Sequence, residues 1–183
     1  MKNKNLKKTI LFGVLILILM LIGRPTAFGY LHPADPLVLL AALMLPAPSA
    51  MLAAGIAGAA ADLLKGYYLL APLTLILRIL MVLLVKKLTA LSPSEKHEEL
   101  LAAPAAFLPV LLYFLGELVF GLLAGTKEAA WASALGTLPK NLIQAAASVL
   151  LFIFIYDMVK GFSAARAQMK AEKASSERSE NDE

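Results

Sequence analysis

The sequence predicts an all-α integral membrane protein, a six-transmembrane-helix bundle with its N- and C-termini in the cytoplasm. Hydrophobic residues make up 60% of the 183 residues and charged residues only 16%, and the mean hydropathy is +0.75. A water-soluble domain of this size needs more polar surface. The charges are also segregated into residues 2–8, 86–99 and 160–183, with long uncharged runs between them. This pattern is typical of a protein that crosses the membrane several times.

Apolar runs and the residues that interrupt them divide the chain into six predicted helices. The first run follows several lysines, as the apolar core of a signal peptide does, but "GRPTAF" is a poor cleavage site. We therefore interpret this run as a retained first span. The six helices are expected at about residues 8–23, 36–46, 48–64, 72–90, 104–124 and 138–160.

The boundaries follow from proline and glycine. Residues 24–35, "RPTAFGYLHPAD", form a loop punctuated by both residue types, and the second helix ends at "PAP". The third helix ends at Lys65-Gly66, and the fourth begins at Pro72. The first two helices are short for a bilayer core of about 30 Å, which requires roughly 20 residues per span. Short spans beside irregular backbone indicate a cavity under loop 24–35.

The segment "SPSEKHEE" carries a helix-start pattern. Ser92 is the expected N-cap, Pro93 the first helical residue and Glu95 the acid of a capping box, and we expect a brief surface helix to follow. Residues 161–183 are rich in Ala, Ser, Glu and Lys, which predicts a solvated, frayed helical tail. The predicted organisation is a cytoplasmic N-terminus at 1–8, a six-helix membrane domain at 9–160 and a charged cytoplasmic tail at 161–183.

The distribution of basic residues predicts the orientation. With six spans, one side of the membrane holds Lys2, Lys4, Lys7, Lys8, Lys86, Lys87, Lys96, Lys160, Arg166, Lys170 and Lys173. The opposite side holds only Arg24, Lys65, Lys127 and Lys140. Because cytoplasmic loops carry the excess of Lys and Arg, both termini are placed in the cytoplasm.

Polar side chains of four predicted helices fall at similar depths. At 1.5 Å per residue, Asp62 lies about 6 Å, Arg78 about 9 Å and Glu117 about 12 Å below the outer ends of their helices. Lys140, Asn141 and Gln144 lie within about 3–9 Å of the start of the last helix. A charged side chain near the bilayer centre costs about 2.5–3.5 kcal/mol, so such groups must face each other or water. The sequence therefore predicts a polar pocket that opens to the outside.

Each of these residues also has a purely structural interpretation. Asp62 and Arg78 are interpreted first as a structural ion pair between two helices, and Glu117 as a ligand contact or a bundle contact. Asn141 and Gln144 lie one turn apart on one face of the helix. They are expected either to form hydrogen bonds with other helices or to form hydrogen bonds with a ligand. The aromatic residues cover a planar ligand or belong to an interfacial belt. They are Tyr30, Tyr67, Tyr68 and Trp131.

Several functions are excluded. The chain has no cysteine, which excludes disulfides and thiol chemistry. It lacks the serine-hydrolase, zinc-protease and P-loop motifs, so we expect no enzymatic activity and no ATP hydrolysis by the chain itself. His32 and His97 are far apart in the sequence, which argues against a metal site, and no cofactor is expected. The basic residues flank apolar runs, which argues against nucleic-acid binding.

Three motifs resemble the substrate-binding S components of energy-coupling factor (ECF) vitamin transporters. They are the end of the third helix with Asp62, Gly66 and Tyr67, the start of the fourth with Pro72, Thr74 and Arg78, and "LPKNLIQ" with Pro139, Asn141 and Gln144. The resemblance covers about residues 9–160. The family often has an Ala-x-x-x-Ala motif on the first helix for docking its coupling subunit, whereas this chain has only Gly13 and Leu17 there.

The resemblance implies a function. Such proteins lie in the bacterial plasma membrane, bind a vitamin or precursor from outside, and associate with a transmembrane coupling subunit and two ATPase subunits that bind ATP. Riboflavin-like, pyridoxine-like and pyrimidine ligands are all compatible with the pocket. The alternative is a non-transporting scaffold subunit of a cell-envelope complex. The expected substrate-binding residues are Glu117, Asn141, Gln144, Lys140, Tyr113, Trp131, Tyr30 and Tyr67.

Overall fold

The computed structural model describes the backbone of residues 2–26, 29–91 and 97–181. Six main helices follow one another in these ranges: α1 (Lys2–Leu21), α2 (Asp35–Met44), α3 (Ala47–Leu64), α4 (Ala71–Ala90), α6 (Leu108–Ala124) and α7 (Lys127–Asn181). A short helix α5 (Glu98–Ala102) and a 3-10 turn (Ala103–Phe107) precede α6. The expected number of main helices is confirmed. The brief surface helix was expected to begin at Pro93; Ser92, Pro93 and Glu95 lie outside the described residues, and the helix in this region is described from Glu98 onward.

Helix α2 is the centre of the bundle although it has only 10 residues. It packs against α1, α3, α4 and α7. Most of its side chains are buried, including Val38, Leu39 and Leu40. Helices α3 and α4 form one closely packed pair, and α6 and α7 form another. The polar groups that begin α2 are therefore inside the molecule.

Proline and glycine define the helix ends. Pro36, Pro72 and Pro109 occupy the first turns of α2, α4 and α6, where a missing backbone N–H costs no hydrogen bond. Gly66, with φ of +82°, ends α3. The Tyr67 N–H donates to the Asp62 carbonyl at 2.8 Å and the Gly66 N–H to the Leu63 carbonyl at 3.1 Å. This bonding satisfies carbonyls at the end of α3.

Helix α7 differs from the prediction because it begins at Lys127 rather than near residue 138. Thr126 caps it: the Ala129 N–H donates to the Thr126 hydroxyl at 3.2 Å, and Glu128 lies in the first turn. Pro139 lies inside the helix and does not end it. Asn141 is therefore about 21 Å from the start of α7, not within about 9 Å as predicted.

The segment after α1 also differs from the prediction of an irregular loop. Arg24–Thr26 and Gly29–Leu31 pair as a short antiparallel hairpin, with Arg24 opposite Leu31. Helix α1 begins at Lys2, earlier than expected, and the tail after residue 160 continues α7 to Asn181. By length and composition, three stretches of the described residues can cross a membrane: Ala47–Leu64, Glu98–Ala124 and Lys127–Glu172.

Candidate functional site

A cavity of about 250 Å³ lies where α1 and α3 end, α4 begins and the α6–α7 pair passes. Asp62, His32, Met20 and Leu70 line it. So do six of the predicted ligand residues: Tyr67, Tyr113, Glu117, Lys140, Asn141 and Gln144. The structure thus brings together side chains that are far apart in the sequence, from Met20 to Gln144. The amide, charged and tyrosine side chains on the cavity allow hydrogen bonds, ion pairs and ring stacking with a small molecule.

Two buried polar atoms on this cavity have no hydrogen-bond partner among the described residues. They are the amide nitrogen Nδ2 of Asn141 and the amide oxygen Oε1 of Gln144. The two side chains are only 6% and 9% exposed. Native proteins satisfy nearly all buried polar groups. The cavity therefore offers a hydrogen-bond donor and an acceptor, one helical turn apart, to a bound molecule.

Asp35 determines which atom Gln144 presents. The Gln144 amide nitrogen donates to Oδ2 of Asp35 at 3.2 Å, at the start of α2. Because the nitrogen is held by this carboxylate, the amide oxygen is the atom left without a partner. Gln144 is therefore oriented as an acceptor.

The Asp62–Arg78 ion pair expected from the sequence is not found, because Arg78 pairs with Asp35. The guanidinium of Arg78 is completely buried, and Nη1 donates to Oδ1 of Asp35. Asp62 interacts with the Thr74 side chain and, through longer-range electrostatics, with Arg78 and Lys65. The prediction compared depths along the helices, whereas the pairing is decided by the direction in which each side chain points. Asp35 begins the central helix and so reaches α4.

His32 completes the buried cluster with Asp35 and Arg78. Its Nε2 lies 3.4 Å from Nη2 of Arg78, and its Nδ1 lies 3.8 Å from Oδ1 of Asp35. The pKa of His32 is lowered to about 4: burial is the largest cause, Asp35 opposes it and Arg78 contributes to the lowering. The imidazole is therefore neutral at physiological pH, and its single lone pair can accept either the Ala34 N–H at Nδ1 or an N–H of Arg78 at Nε2, both at 3.4 Å. In a protonated imidazole, Nε2 would carry an N–H that points at the N–H groups of Arg78.

Glu117 bridges the α6–α7 pair and also lines the cavity. Its Oε2 accepts from the Thr137 hydroxyl at 2.8 Å and from the Ser133 hydroxyl at 3.3 Å. From the sequence, Glu117 was expected to contact either a ligand or another helix of the bundle. The structure places Glu117 where it can make both.

The predicted aromatic residues are divided by the structure. Tyr67 and Tyr113 line the cavity, and the Tyr113 hydroxyl lies 3.4 Å from that of Thr74. Trp131 does not line the cavity; it is 43% exposed and packs edge-on against Phe114, with ring centroids 6.1 Å apart. The side chain of Tyr30 lies outside the described part of the structure. Tyr68 is 70% exposed and does not line the cavity either, so Tyr67 and Tyr113 are the expected rings that do.

Lys65 links the end of α3 to the end of α1. Its ammonium group donates to the main-chain carbonyl of Met20, one residue before the end of α1. Partial burial lowers the pKa of Lys65, and Asp62 opposes this change. The end of α3 is therefore tied to the end of α1 beside the ligand-facing groups.

His32 and Asp35 are site residues that the sequence analysis missed. The available signal was the acid of "HPADP", which directly precedes an otherwise apolar helix. Among residues 2–26, 29–91 and 97–181, no group of three or more His, Cys, Asp or Glu could hold a metal ion.

Comparison with known proteins places this geometry in a family. Residues 3–161 match the family model described as "ECF-type riboflavin transporter, S component". The chain belongs to this family of ECF transporter S components. It is a substrate-specific membrane subunit of an ECF transporter, and the family works with an ECF module of a transmembrane subunit and ATPases. S components are not enzymes and as a rule bind no cofactor.

A solved structure supports the fold of this S component. The structure of the S component of a bacterial ECF transporter superposes with a TM-score of 0.69 at 19% sequence identity. The alignment covers 88% of this chain and 98% of the other. No curated protein matches the sequence. The similarity shows that the helical arrangement is shared.

Proposed function

We propose that this S component captures a water-soluble vitamin or precursor from outside the cell for ATP-driven import by its partner subunits, and that riboflavin is the first candidate. The observation that carries the proposal is a pair of buried atoms on the cavity that have no hydrogen-bond partner among the residues the structure describes, Nδ2 of Asn141 and Oε1 of Gln144. A polar layer that only locked helices together would satisfy such groups. This observation counts against the scaffold alternative.

The chemistry of riboflavin matches the side chains on the cavity. Its pyrimidine-dione edge presents carbonyl oxygens beside an N–H, which complement the amide nitrogen of Asn141 and the amide oxygen of Gln144. Tyr67 and Tyr113 can contact a planar ring system. Asp62 and Glu117 can accept hydrogen bonds from the hydroxyl groups of a ribityl chain. The description of the family model names the same vitamin.

The binding test uses purified S component in detergent with riboflavin and, as a single-ring comparator, pyridoxine. We expect riboflavin fluorescence to be quenched on binding and the protein to melt at a higher temperature with riboflavin. Asn141→Ala should weaken binding about tenfold or more, because a ligand carbonyl is left buried without its donor. Gln168→Ala, an exposed change on the same helix, is the matched control. Unchanged affinity of Asn141→Ala would contradict the proposed site.

A ligand analogue tests the acceptor. N3-methylriboflavin lacks the N–H that Oε1 of Gln144 would accept, so we expect it to bind more weakly than riboflavin by a similar factor. Equal binding of the two compounds would show that Gln144 does not read this edge.

The transport step requires the partner subunits. Proteoliposomes that contain the S component with its coupling subunit and ATPases should accumulate radiolabelled riboflavin only when ATP is supplied. Vesicles with the S component alone should bind the vitamin without accumulating it. Accumulation without ATP would refute the proposed energy source.

A further inference from the structure

A second, larger cavity lies on the other side of His32 and Gln144. It has a volume of about 430 Å³ and runs between the end of α1 with the following hairpin and the outer face of α7. Ile22, Leu31, Ala147 and Leu151 form much of its lining. We call it the lateral groove. His32 and Gln144 line both cavities and separate them.

The lateral groove has the properties of a lipid-facing surface. Ile22 is 59% exposed and Leu151 40% exposed. Ala147 and Leu151 belong to a stretch of α7 that is long and apolar enough to cross a membrane. Large apolar side chains exposed at such a position contact acyl chains in the bilayer rather than water. The apolar lining also makes the groove unsuited to the polar edge of a vitamin.

A basic residue lines the groove. Arg24 is exposed, and no ion-pair or hydrogen-bond partner for its side chain is found among the described residues. A guanidinium group matches the geometry of a phosphate, with which it can form two parallel hydrogen bonds. A basic side chain beside an apolar groove is complementary to the two parts of a phospholipid.

We propose that the lateral groove binds one phospholipid of the surrounding membrane, with an acyl chain along Ile22, Leu31 and Leu151 and the phosphate on Arg24. The preferred lipid is anionic, because Arg24 contributes an uncompensated positive charge. The site is distinct from the vitamin cavity and does not depend on the identity of the vitamin. Its occupant would contact His32 and Gln144 from the membrane side.

The experiment measures lipid retention by native mass spectrometry. Purified S component is exchanged in detergent with phosphatidylglycerol or phosphatidylcholine, and the retained lipid is counted. We expect the wild type to retain one phosphatidylglycerol more strongly than phosphatidylcholine. Arg24→Gln should reduce phosphatidylglycerol retention about fivefold, as expected for one basic contact near a membrane surface. Arg24→Lys should keep most of the preference, and Arg166→Gln, an exposed change on the tail of α7, should have no effect.

A second variant tests the apolar part of the groove. Ala147→Leu fills the groove and should reduce retention of both lipids, whereas Ala146→Leu, on the adjacent exposed position outside the groove, should not. Asn141→Ala should retain lipid normally even where it no longer binds vitamin. Equal retention by Arg24→Gln and Arg166→Gln, or by Ala147→Leu and Ala146→Leu, would overturn the proposal. Melting temperatures close to wild type confirm that each variant is folded.

Discussion

At the scale of single residues, the most consequential feature is the buried group formed by Asp35, Arg78 and His32. The sequence identified Arg78 as a buried cation that needs a partner, because a charge in an apolar helix is costly. It could not identify the partner. Depth along a helix follows from residue counting, but the choice between Asp35 and Asp62 depends on the direction of side chains from different helices. The same limit explains why His32 was assigned to a loop without a role.

The first prediction concerns the ion pair. Asp35→Asn should lower the free energy of unfolding by about 3–5 kcal/mol, because it leaves the buried guanidinium of Arg78 without a carboxylate. Asp62→Asn should cost clearly less, and the exposed Asp157→Asn should have almost no effect. Unfolding in detergent followed by circular dichroism measures all three. If Asp35→Asn and Asp62→Asn lower the free energy of unfolding equally, the result would favour the pairing of Arg78 with Asp62 that was expected from the sequence.

The second prediction concerns pH. The unfolded chain protonates His32 near its usual pKa of about 6.5, whereas the folded protein does so at about 4. Between these values the unfolded state binds more protons, so stability rises with pH across this window. The contribution is fully present above about pH 6.5 and is lost as the pH falls through about 4.

Thermal unfolding measured from pH 4 to 8 should show this slope in the wild type. His32→Asn should reduce it, while His97→Asn, at an exposed position, should leave it unchanged. If the stability of His32→Asn rises with pH as steeply as that of the wild type, groups other than His32 cause the pH dependence.

At the scale of elements, the positions of proline and glycine and the lengths of the apolar runs were sufficient to predict the bounds of most helices. The predicted ranges of the second, third and fourth helices agree with α2, α3 and α4 to within about two residues. The start of α7 was missed because Pro139 was interpreted as a beginning. A proline removes one backbone hydrogen bond, but packing against α6 keeps the helix continuous. The N-cap at Thr126 was the signal in the sequence that marks the true start.

The third prediction concerns the close approach of α6 and α7. A Cβ atom added at Gly121 would lie 2.6 Å from Cα of Ala130, which is backbone and cannot move aside as a side chain can. Gly121→Ala should therefore separate the two helices and cost about 1–3 kcal/mol. Gly161→Ala, with no atom within 4 Å of the added Cβ, is the control and should be neutral or slightly stabilising. A neutral Gly121→Ala would show that the two helices do not pack this closely.

At the scale of the whole molecule, composition alone was enough to predict a helical membrane protein, and the family model and the solved structure confirm its fold. Six of the eight expected ligand residues line one cavity. The lateral groove agrees in part with the cavity expected under loop 24–35, because Arg24, Leu31 and His32 line it. Its extension along α7 was not predictable, because the sequence did not indicate the hairpin. Grooves depend on the separation of elements, which has no local signature in the chain.

The fourth prediction concerns orientation, which rests on the distribution of Lys and Arg. The chain has no cysteine, so single cysteines can be introduced without further changes. Leu69→Cys, between α3 and α4, should react with a membrane-impermeant maleimide on intact cells. Gln168→Cys, on the exposed part of α7, should react only after lysis. The reverse pattern would place the termini outside and refute the assignment.

Helix α7 runs without a break from Asn141 and Gln144, which line the cavity, to Asn181. About 40 residues separate Asn141 from Asn181, a length of about 60 Å in a continuous helix. Because the helix is continuous, a small change in its direction near the cavity corresponds to a larger displacement at its far end. A tilt of about 10° near the cavity would carry its far end through roughly 10 Å.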